Sequence, residues 1–254
     1  MANNVPILPT NLDEVAILLD VDGTILDIAP RPTDVSASAA LRHTLGRLAE
    51  RTGGATALVS GRSIGDLDRI FSPLRLPAIG GHGAEIRPSV HEAFRRSPAA
   101  SLDAGLRRRL AAIATAGTGI LVEDKGYAVA LHYRLAPEQE GAVKNAVAAI
   151  RSSFPPGSME VLPGKAVVEV KAAGFDKGTA LRELMSYPAF AGRCPIFIGD
   201  DTTDEAAFAV LPEFHGVPIS VGRALPGVAN WFDTPGDVRT WLDRIANGHG
   251  TIEQ

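Results

Sequence analysis

Ala16-Ile17-Leu18-Leu19-Asp20-Val21-Asp22-Gly23-Thr24-Ile25-Leu26-Asp27 decides how the chain is read. An aliphatic run ends in two carboxylates two positions apart, and a Gly and a Thr follow. Such a run suits a strand in a sheet covered on both faces. The carboxylates then fall at or just past its C-terminal end, the edge where open α/β sheets bind ligands. Asp is a poor strand former and expensive to bury unpaired. Two of them there call for a cation or a role in proton transfer. A capped turn at Asp22-Gly23-Thr24 is the plainer alternative.

Outward from this stretch, strands and helices alternate. Residues 15–20 read as a strand and 36–51 as a helix, with Leu41, Leu45, Leu48 and Ala49 at helical spacing. Ala55–Val59 reads as a strand ending at Ser60-Gly61-Arg62, and Ser63–Phe71 as a short helix. Short strands at 77–80 and 84–87 flank Gly80-Gly81-His82-Gly83. This rhythm predicts right-handed crossovers and a parallel sheet. It then changes. Helices at 101–116 and 137–153 each precede a hairpin, 119–124 with 127–134 and 158–162 with 166–171. That predicts a separate four-stranded antiparallel sheet with two helices. The alternating rhythm returns with a helix from Asp176-Lys177 to Tyr187, a strand at 195–199, a helix at 204–210, a strand at 217–221 and a last helix at 235–246. The expected organisation is an α/β core made of 1–98 and 173–254, interrupted by a smaller α/β domain at 99–172.

Composition narrows the function. The 254 residues carry a net charge of −4 at pH 7, and 45% are hydrophobic. The acidic balance argues against nucleic-acid binding. The one basic run, Arg107-Arg108-Arg109, reads as the solvated face of a helix. Cys194 is the sole cysteine, so no intrachain disulfide forms, in keeping with a reducing compartment. It precedes an apolar strand and reads as a core thiol. Met1–Asn11 does not resemble a signal peptide, and no apolar run approaches the ~20 residues that span a bilayer. The expectation is a soluble cytoplasmic protein, with a monomer as its default state and no membrane partner. No Gly-rich loop precedes a Gly-Lys-Ser/Thr, which disfavours Walker-type nucleotide binding.

The chemistry-bearing residues sit at comparable places. Asp20 and Asp22 end the first strand, Ser60 ends the second, Lys177 opens a helix, and Asp200, Asp201 and Asp204 end a later strand. In a parallel sheet these ends share one edge and converge on one pocket. Clustered carboxylates repel one another unless a cation offsets them. All-oxygen ligands suit Mg²⁺. With Lys177 as an ammonium and Ser60 and the Gly61 amide as donors, the set suits a phosphoryl group. One carboxylate can attack phosphorus and another can move the proton.

Asp20-Val21-Asp22-Gly23-Thr24, Ser60-Gly61-Arg62, Lys177-Gly178 and Gly199-Asp200-Asp201 resemble, in order, the four motifs of the haloacid-dehalogenase superfamily of phosphotransferases. The domain between the second and third motifs resembles that superfamily's larger α/β cap. Gly199–Phe208, Gly81-His82-Gly83-Ala84-Glu85, Glu123-Asp124-Lys125, Leu131-His132-Tyr133-Arg134 and Gly164–Val170 resemble the trehalose-6-phosphate phosphatases within it. The opening motif departs by carrying Val21 where an aromatic residue is usual; this side chain is expected to point away from the site.

The resemblance implies a division of roles. Asp20 would be the nucleophile and a Mg²⁺ ligand. Asp22 would be the general acid/base, with its backbone carbonyl on the metal, and Asp200 would be the other metal carboxylate. Asp201 and Asp204 would orient these ligands and Lys177. Ser60, Gly61 and Lys177 would hold the phosphoryl group, and Thr24 would support the loop. In the cap, Glu123, Lys125, His132, Arg134, Lys165 and Glu169 would meet a sugar. Strand alternation puts Ala128, Ala130, His132 and Arg134 on one face, and Glu169 and Lys171 together on another strand's polar face. The implied reaction is Mg²⁺-dependent hydrolysis of trehalose 6-phosphate. Competing readings are another sugar phosphate, such as sucrose phosphate or mannosyl-phosphoglycerate, a phosphomutase, and a non-catalytic sugar-phosphate sensor.

Overall fold

The computed structural model describes residues 11–28, 35–114, 118–164 and 166–248. Packing divides the chain into two compact units, Met1–Arg96 with Asp176–Gln254, and Ser97–Phe175. The junctions thus fall at 96/97 and 175/176, against the 98/99 and 172/173 expected.

The first unit is built on an eight-stranded sheet. Its strands are β1 (Val15–Leu19), β2 (Thr56–Val59), β3 (Ala78–Gly80), β4 (Glu85–Arg87), β5 (Arg95–Arg96), β10 (Cys194–Gly199), β11 (Val217–Val221) and β12 (Asn230–Phe232). They are ordered β12-β11-β10-β1-β2-β3-β4-β5. Helices α1 (Ala39–Arg51), α2 (Ile64–Phe71), α5 (Lys177–Leu184), α6 (Glu205–Val210) and α7 (Pro235–Ala246) cover it.

The aliphatic run of β1 has a plain cause. Its side chains alternate between two apolar layers. Ile17 and Leu19 join a layer with Leu41, Leu45 and Leu48 of α1, Ile64, Leu67 and Ile70 of α2, and Val238 and Leu242 of α7. Ala16 and Leu18 join the opposite layer with Leu181 and Leu184 of α5 and Phe208 of α6. Every residue of β1 is buried, because neither face meets water.

Strands β12 through β3 pair in parallel. The chain steps outward from β1 to β2 and β3, then resumes on β1's other side at β10. The β1/β10 boundary is therefore the topological switch point, where such sheets bind ligands.

The expected parallel sheet needs one correction. β4 runs antiparallel to β3, and β5 antiparallel to β4. Only the Gly81–Gly83 turn and Ala84 separate β3 from β4, too short for the crossover a parallel pair requires. Cys194 is half-buried at the start of β10, not in the core, and burial pushes its thiol pKa up.

The second unit has strands β6 (Leu121–Asp124), β7 (Ala128–His132), β8 (Met159–Gly164) and β9 (Val167–Ala172), with helices α3 (Ala104–Ala111) and α4 (Glu140–Arg151). The sheet is antiparallel, ordered β6-β7-β9-β8. Arg108 and Arg109 lie on the exposed side of α3, and Arg107 pairs with Asp124 at 3.0 Å. The two ends of this unit lie side by side: a Cβ built on Gly174 would sit 3.5 Å from the Ala99 Cβ.

Helices α5 and α6 approach so closely that a Cβ on Gly178 would lie 2.3 Å from the Ala206 carbonyl oxygen. Backbone on the receiving side leaves nothing flexible to yield. Gly178→Ala is expected to force the helices apart and cost about 1–3 kcal/mol, the usual range for overpacking. The shift of the urea unfolding midpoint measures it.

Candidate active site

The site lies at the C-terminal ends of β1 and β10. Asp20 follows β1 directly, and its amide donates to the Ile198 carbonyl of β10 at 2.9 Å. The chain then folds tightly: the Leu26 amide returns to the Val21 carbonyl at 2.9 Å and the Gly23 amide to the Leu26 carbonyl at 2.8 Å. Val21 is fully buried in the apolar layer beneath, facing the core as expected. Gly23 has φ of +87°, and a Cβ there would lie 2.2 Å from Asp200 Oδ2. Glycine lets the Asp200 carboxylate rest against this turn.

At the centre, the Lys177 ammonium donates to Asp20 Oδ1 at 2.7 Å and to Asp204 Oδ1 at 2.6 Å. All three side chains are at most 7% exposed. Thr24 Oγ1 lies 3.0 Å from Asp20 Oδ2 and 3.3 Å from Asp200 Oδ1, so its one proton serves both carboxylates. Asp204 Oδ2 accepts from the Asp201 amide at 3.0 Å. Lys177 reaches this point because Asp176 caps α5 with a reciprocal capping box to Thr179.

The electrostatics follow from burial. Burial pushes the Asp20 carboxyl up to about 7; Asp204 adds to the rise and Lys177 opposes it. Asp204 is also raised by burial, against Lys177. Burial works against the Lys177 charge, but Asp20 and Asp204 outweigh it and hold its pKa above the ordinary range. One ammonium faces two dry carboxylates, with Asp200 beside them, so the cluster has room for more positive charge. Carboxylate oxygens of Asp20, Asp200 and Asp204 lie within 4.8 Å of one another. Such an all-oxygen set fits a hard divalent cation.

The other expected residues divide between places. The Asp22 carboxylate is not in this cluster. It forms a two-pronged ion pair with Arg62, from Nε at 2.6 Å and Nη2 at 2.8 Å. Ser60 is buried, and its Oγ accepts from the Arg62 amide at 3.1 Å, leaving its own proton to donate. The Asp201 side chain is exposed and caps its own turn through the Thr202 amide at 2.6 Å. In the second unit, Glu123, Ala130 and Glu169 stand opposite one another across β6, β7 and β9 and so share a face. Lys125 Nζ is 3.1 Å from Glu169 Oε2, and His132 Nε2 is 3.3 Å from Glu123 Oε2. The His132 hydrogen bond, with Lys125 nearby, holds Glu123 below the usual carboxylate range. Arg134 is half-buried just past β7. Lys165 lies outside the described residues.

Sequence reasoning left Arg62 and Glu85 without roles. Arg62 belongs to the Ser60-Gly61-Arg62 motif, which was its one signal. Glu85 closes the Gly81–Glu85 motif and is 2% exposed, with Oε2 accepting from the Ile64 amide at 2.8 Å.

The profile of one protein family, described as trehalose-phosphatase, matches residues 18–232. The chain belongs to the trehalose-phosphatase family. The match runs from β1 through β12 and so takes in every residue of the cluster. A probable trehalose-phosphate phosphatase of Sinorhizobium fredii is 39% identical over 86% of this chain and 82% of its own. The trehalose-6-phosphate phosphatase of Escherichia coli K12 is 35% identical over 91% of this chain and 86% of its own. The C-terminal domain of the Candida albicans trehalose-6-phosphate phosphatase superposes with a TM-score of 0.80, covering 96% of this chain and 99% of that domain at 22% identity. A mostly parallel α/β unit interrupted by an antiparallel one is also the fold of a Bacteroides thetaiotaomicron phosphatase of the haloalkanoate superfamily, which superposes with a TM-score of 0.63 at 14% identity over 99% of this chain. No helix among the described residues is long and apolar enough to cross a membrane.

Lys177→Met leaves Asp20 and Asp204 buried face to face. It is expected to cost about 3–5 kcal/mol, as for other broken buried ion pairs. Adding Asp204→Asn removes one of the two stranded charges and recovers part of that loss. Denaturant unfolding of the single and double variants in chelator-containing buffer measures the coupling.

Proposed function

We propose that this chain is a Mg²⁺-dependent phosphatase that hydrolyses trehalose 6-phosphate to trehalose and phosphate. The observation that carries the reading is the buried Asp20–Lys177–Asp204 triad beside Asp200, at the switch point of a trehalose-phosphatase fold. Relatives named for this activity, 39% and 35% identical, support it.

The substrate's phosphoryl group lies between the Ser60-Gly61 turn and Lys177. Asp20 attacks phosphorus with one carboxylate oxygen, and the bond from phosphorus to the sugar oxygen breaks. Asp22 gives that oxygen its proton, and trehalose leaves. Asp22 then takes a proton from water as the water oxygen attacks phosphorus. The bond between phosphorus and Asp20 breaks, releasing phosphate and restoring the carboxylate. In both steps Asp22 needs an oxygen clear of Arg62, so the two-pronged pair opens as the substrate enters. Lys177 stays charged throughout and offsets Asp20 and the phosphoryl oxygens.

Asp20 and Asp200, with the Asp22 backbone carbonyl, would hold the Mg²⁺. When bound, it supplies positive charge that keeps Asp20 ionised and balances the phosphoryl oxygens.

The second unit reads the sugar. Glu123 with His132, and Lys125 with Glu169, offer donors and acceptors from one sheet face, a pattern suited to a polyol. Arg134 and Lys165 belong to the same reading.

Phosphate release across a panel of sugar phosphates tests this directly. Trehalose 6-phosphate is expected to be turned over fastest, and chelation of divalent cations to abolish the reaction. Faster turnover of sucrose phosphate would reassign the substrate, and activity indifferent to chelator would remove the metal. Lys125→Ala and Glu169→Ala are expected to lower kcat/KM for trehalose 6-phosphate by about 10²-fold or more, as when polar groups matched to a substrate are lost. Hydrolysis of a small aryl phosphate should change by less than about three-fold. Equal losses on both substrates would refute sugar reading by this face.

A further inference from the structure

Glu85 carries a role that the reaction as described does not use. A carboxylate this buried must be paired, since leaving water unpaired is costly. Its two oxygens are not equally engaged. Oε1 lies 3.4 Å from Arg96 Nε, on a side chain that is 57% exposed. A long contact to an exposed arginine contributes little. Oε2 accepts from the Ile64 amide at 2.8 Å in a fully buried bond.

Ile64 is the first residue of α2, the helix that follows the Ser60-Gly61-Arg62 turn. The helix already has a local cap, since Ser63 Oγ accepts from the Asp66 amide at 3.1 Å. The Glu85 bond is a second tie, reaching across 21 residues from β4. A carboxylate also suits the amide-rich start of a helix.

The rest of the Gly80–Glu85 segment grips the same turn. The Gly81 amide donates to the Arg62 carbonyl at 2.8 Å, and the His82 amide to the Ser60 carbonyl at 3.0 Å. A Cβ on Gly61 would come within 2.4 Å of the His82 ring, and one on Gly80 within 2.8 Å of the Ile64 nitrogen. On its far side, a Cβ on Gly83 would lie 2.2 Å from the Asp176 carbonyl oxygen, one residue before Lys177. The segment is a spacer between the Ser60-Gly61 turn and Lys177.

We propose that Glu85 is a positioning residue for phosphate binding. Through the Ile64 amide it fixes where α2 begins, and with it the direction of the Ser60 hydroxyl and the Gly61 amide. This rests on the reading in which Ser60, Gly61 and Lys177 hold the phosphoryl group. Those donors grip the phosphoryl group in ground state and transition state alike, so loosening them acts on KM more than on kcat.

Two substitutions separate the hydrogen bond from the charge. Glu85→Gln removes the charge but keeps an oxygen that accepts from Ile64. Glu85→Asp keeps the charge but is one methylene too short to reach. Steady-state kinetics with trehalose 6-phosphate and a small aryl phosphate, plus competitive inhibition by inorganic phosphate, read the effect. Glu85→Asp is expected to raise both KM values and the phosphate inhibition constant about ten-fold, with kcat within about three-fold of the parent, since the lost interaction is uniform binding. Glu85→Gln should stay within about three-fold of the parent on every measure. Parent-like constants for Glu85→Asp, or a Glu85→Gln variant as impaired as Glu85→Asp, would overturn the proposal. If either protein loses kcat alone, in step with a smaller folded fraction by circular dichroism, the role is structural and the proposal is again overturned. A parent protein that hydrolyses no phosphate ester and binds no phosphate would instead defeat the phosphatase reading, and the Glu85 role with it.

Discussion

Everything at the site depends on one ammonium held between two buried carboxylates. Asp20 and Asp204 cannot both lie dry and ionised without a counter-charge, and Lys177 supplies it at 2.7 and 2.6 Å. The three residues come from three different elements: the end of β1, the start of α5 and the turn before α6. The fold must therefore bring those elements to one point, and it does so with glycine. Gly178 lets α5 reach the Ala206 backbone, Gly199 leaves room for the Asp204 carboxylate, and Gly23 leaves room for Asp200. The conformational freedom of glycine matters only at Gly23; at the other two the missing Cβ is the point.

One ammonium for this many acids is an imbalance built into the fold, and it gives the site its appetite for positive charge. Burial pushes the Asp20 carboxyl up, and Lys177 only partly reverses it. A carboxylate in that position is readily ionised once further positive charge arrives and less readily before. Asp22, outside the cluster, is held by Arg62 and half exposed. Two carboxylates that are nearest neighbours but one in sequence thus occupy unlike environments, which is the physical basis for giving them different tasks.

Much of this was legible in the amino-acid sequence, for definite reasons. A strand covered on both faces must be aliphatic throughout, so β1, β2 and β10 announced themselves. Helix α7 was readable to its bounds because Thr234 and Pro235 mark its start and its apolar stripe is regular. The four motif clusters lie at strand ends or a helix start, where a parallel sheet brings them together. Strands β5 and β12 were not legible: two exposed arginines and three edge residues carry no periodic signal. Nor was the reversal at β4, which follows from a four-residue connection with His82 at φ 54°. The pairs Arg62–Asp22 and Glu85–Ile64 span 40 and 21 residues and are set by tertiary packing alone. Residue type made them available, but no local pattern announced them.

The adjacency of Ala99 and Gly174 bears on how the chain folds. β1 pairs with β10 across the whole intervening sequence, with Val15 opposite Cys194. If residues 97 to 175 were unstructured when that pair formed, the core would have to close a very long loop. The second unit has its own antiparallel sheet and its own helices, and its ends meet. Once it is folded, the core sees a short, pre-closed connection in place of 79 residues (175 − 97 + 1). Because closure entropy grows with the logarithm of loop length, shortening the loop from Leu19 to Cys194 by that much removes roughly 0.5 kcal/mol from the barrier to assembling the switch point. An insertion that interrupts the core in sequence therefore shortens the core's search in space.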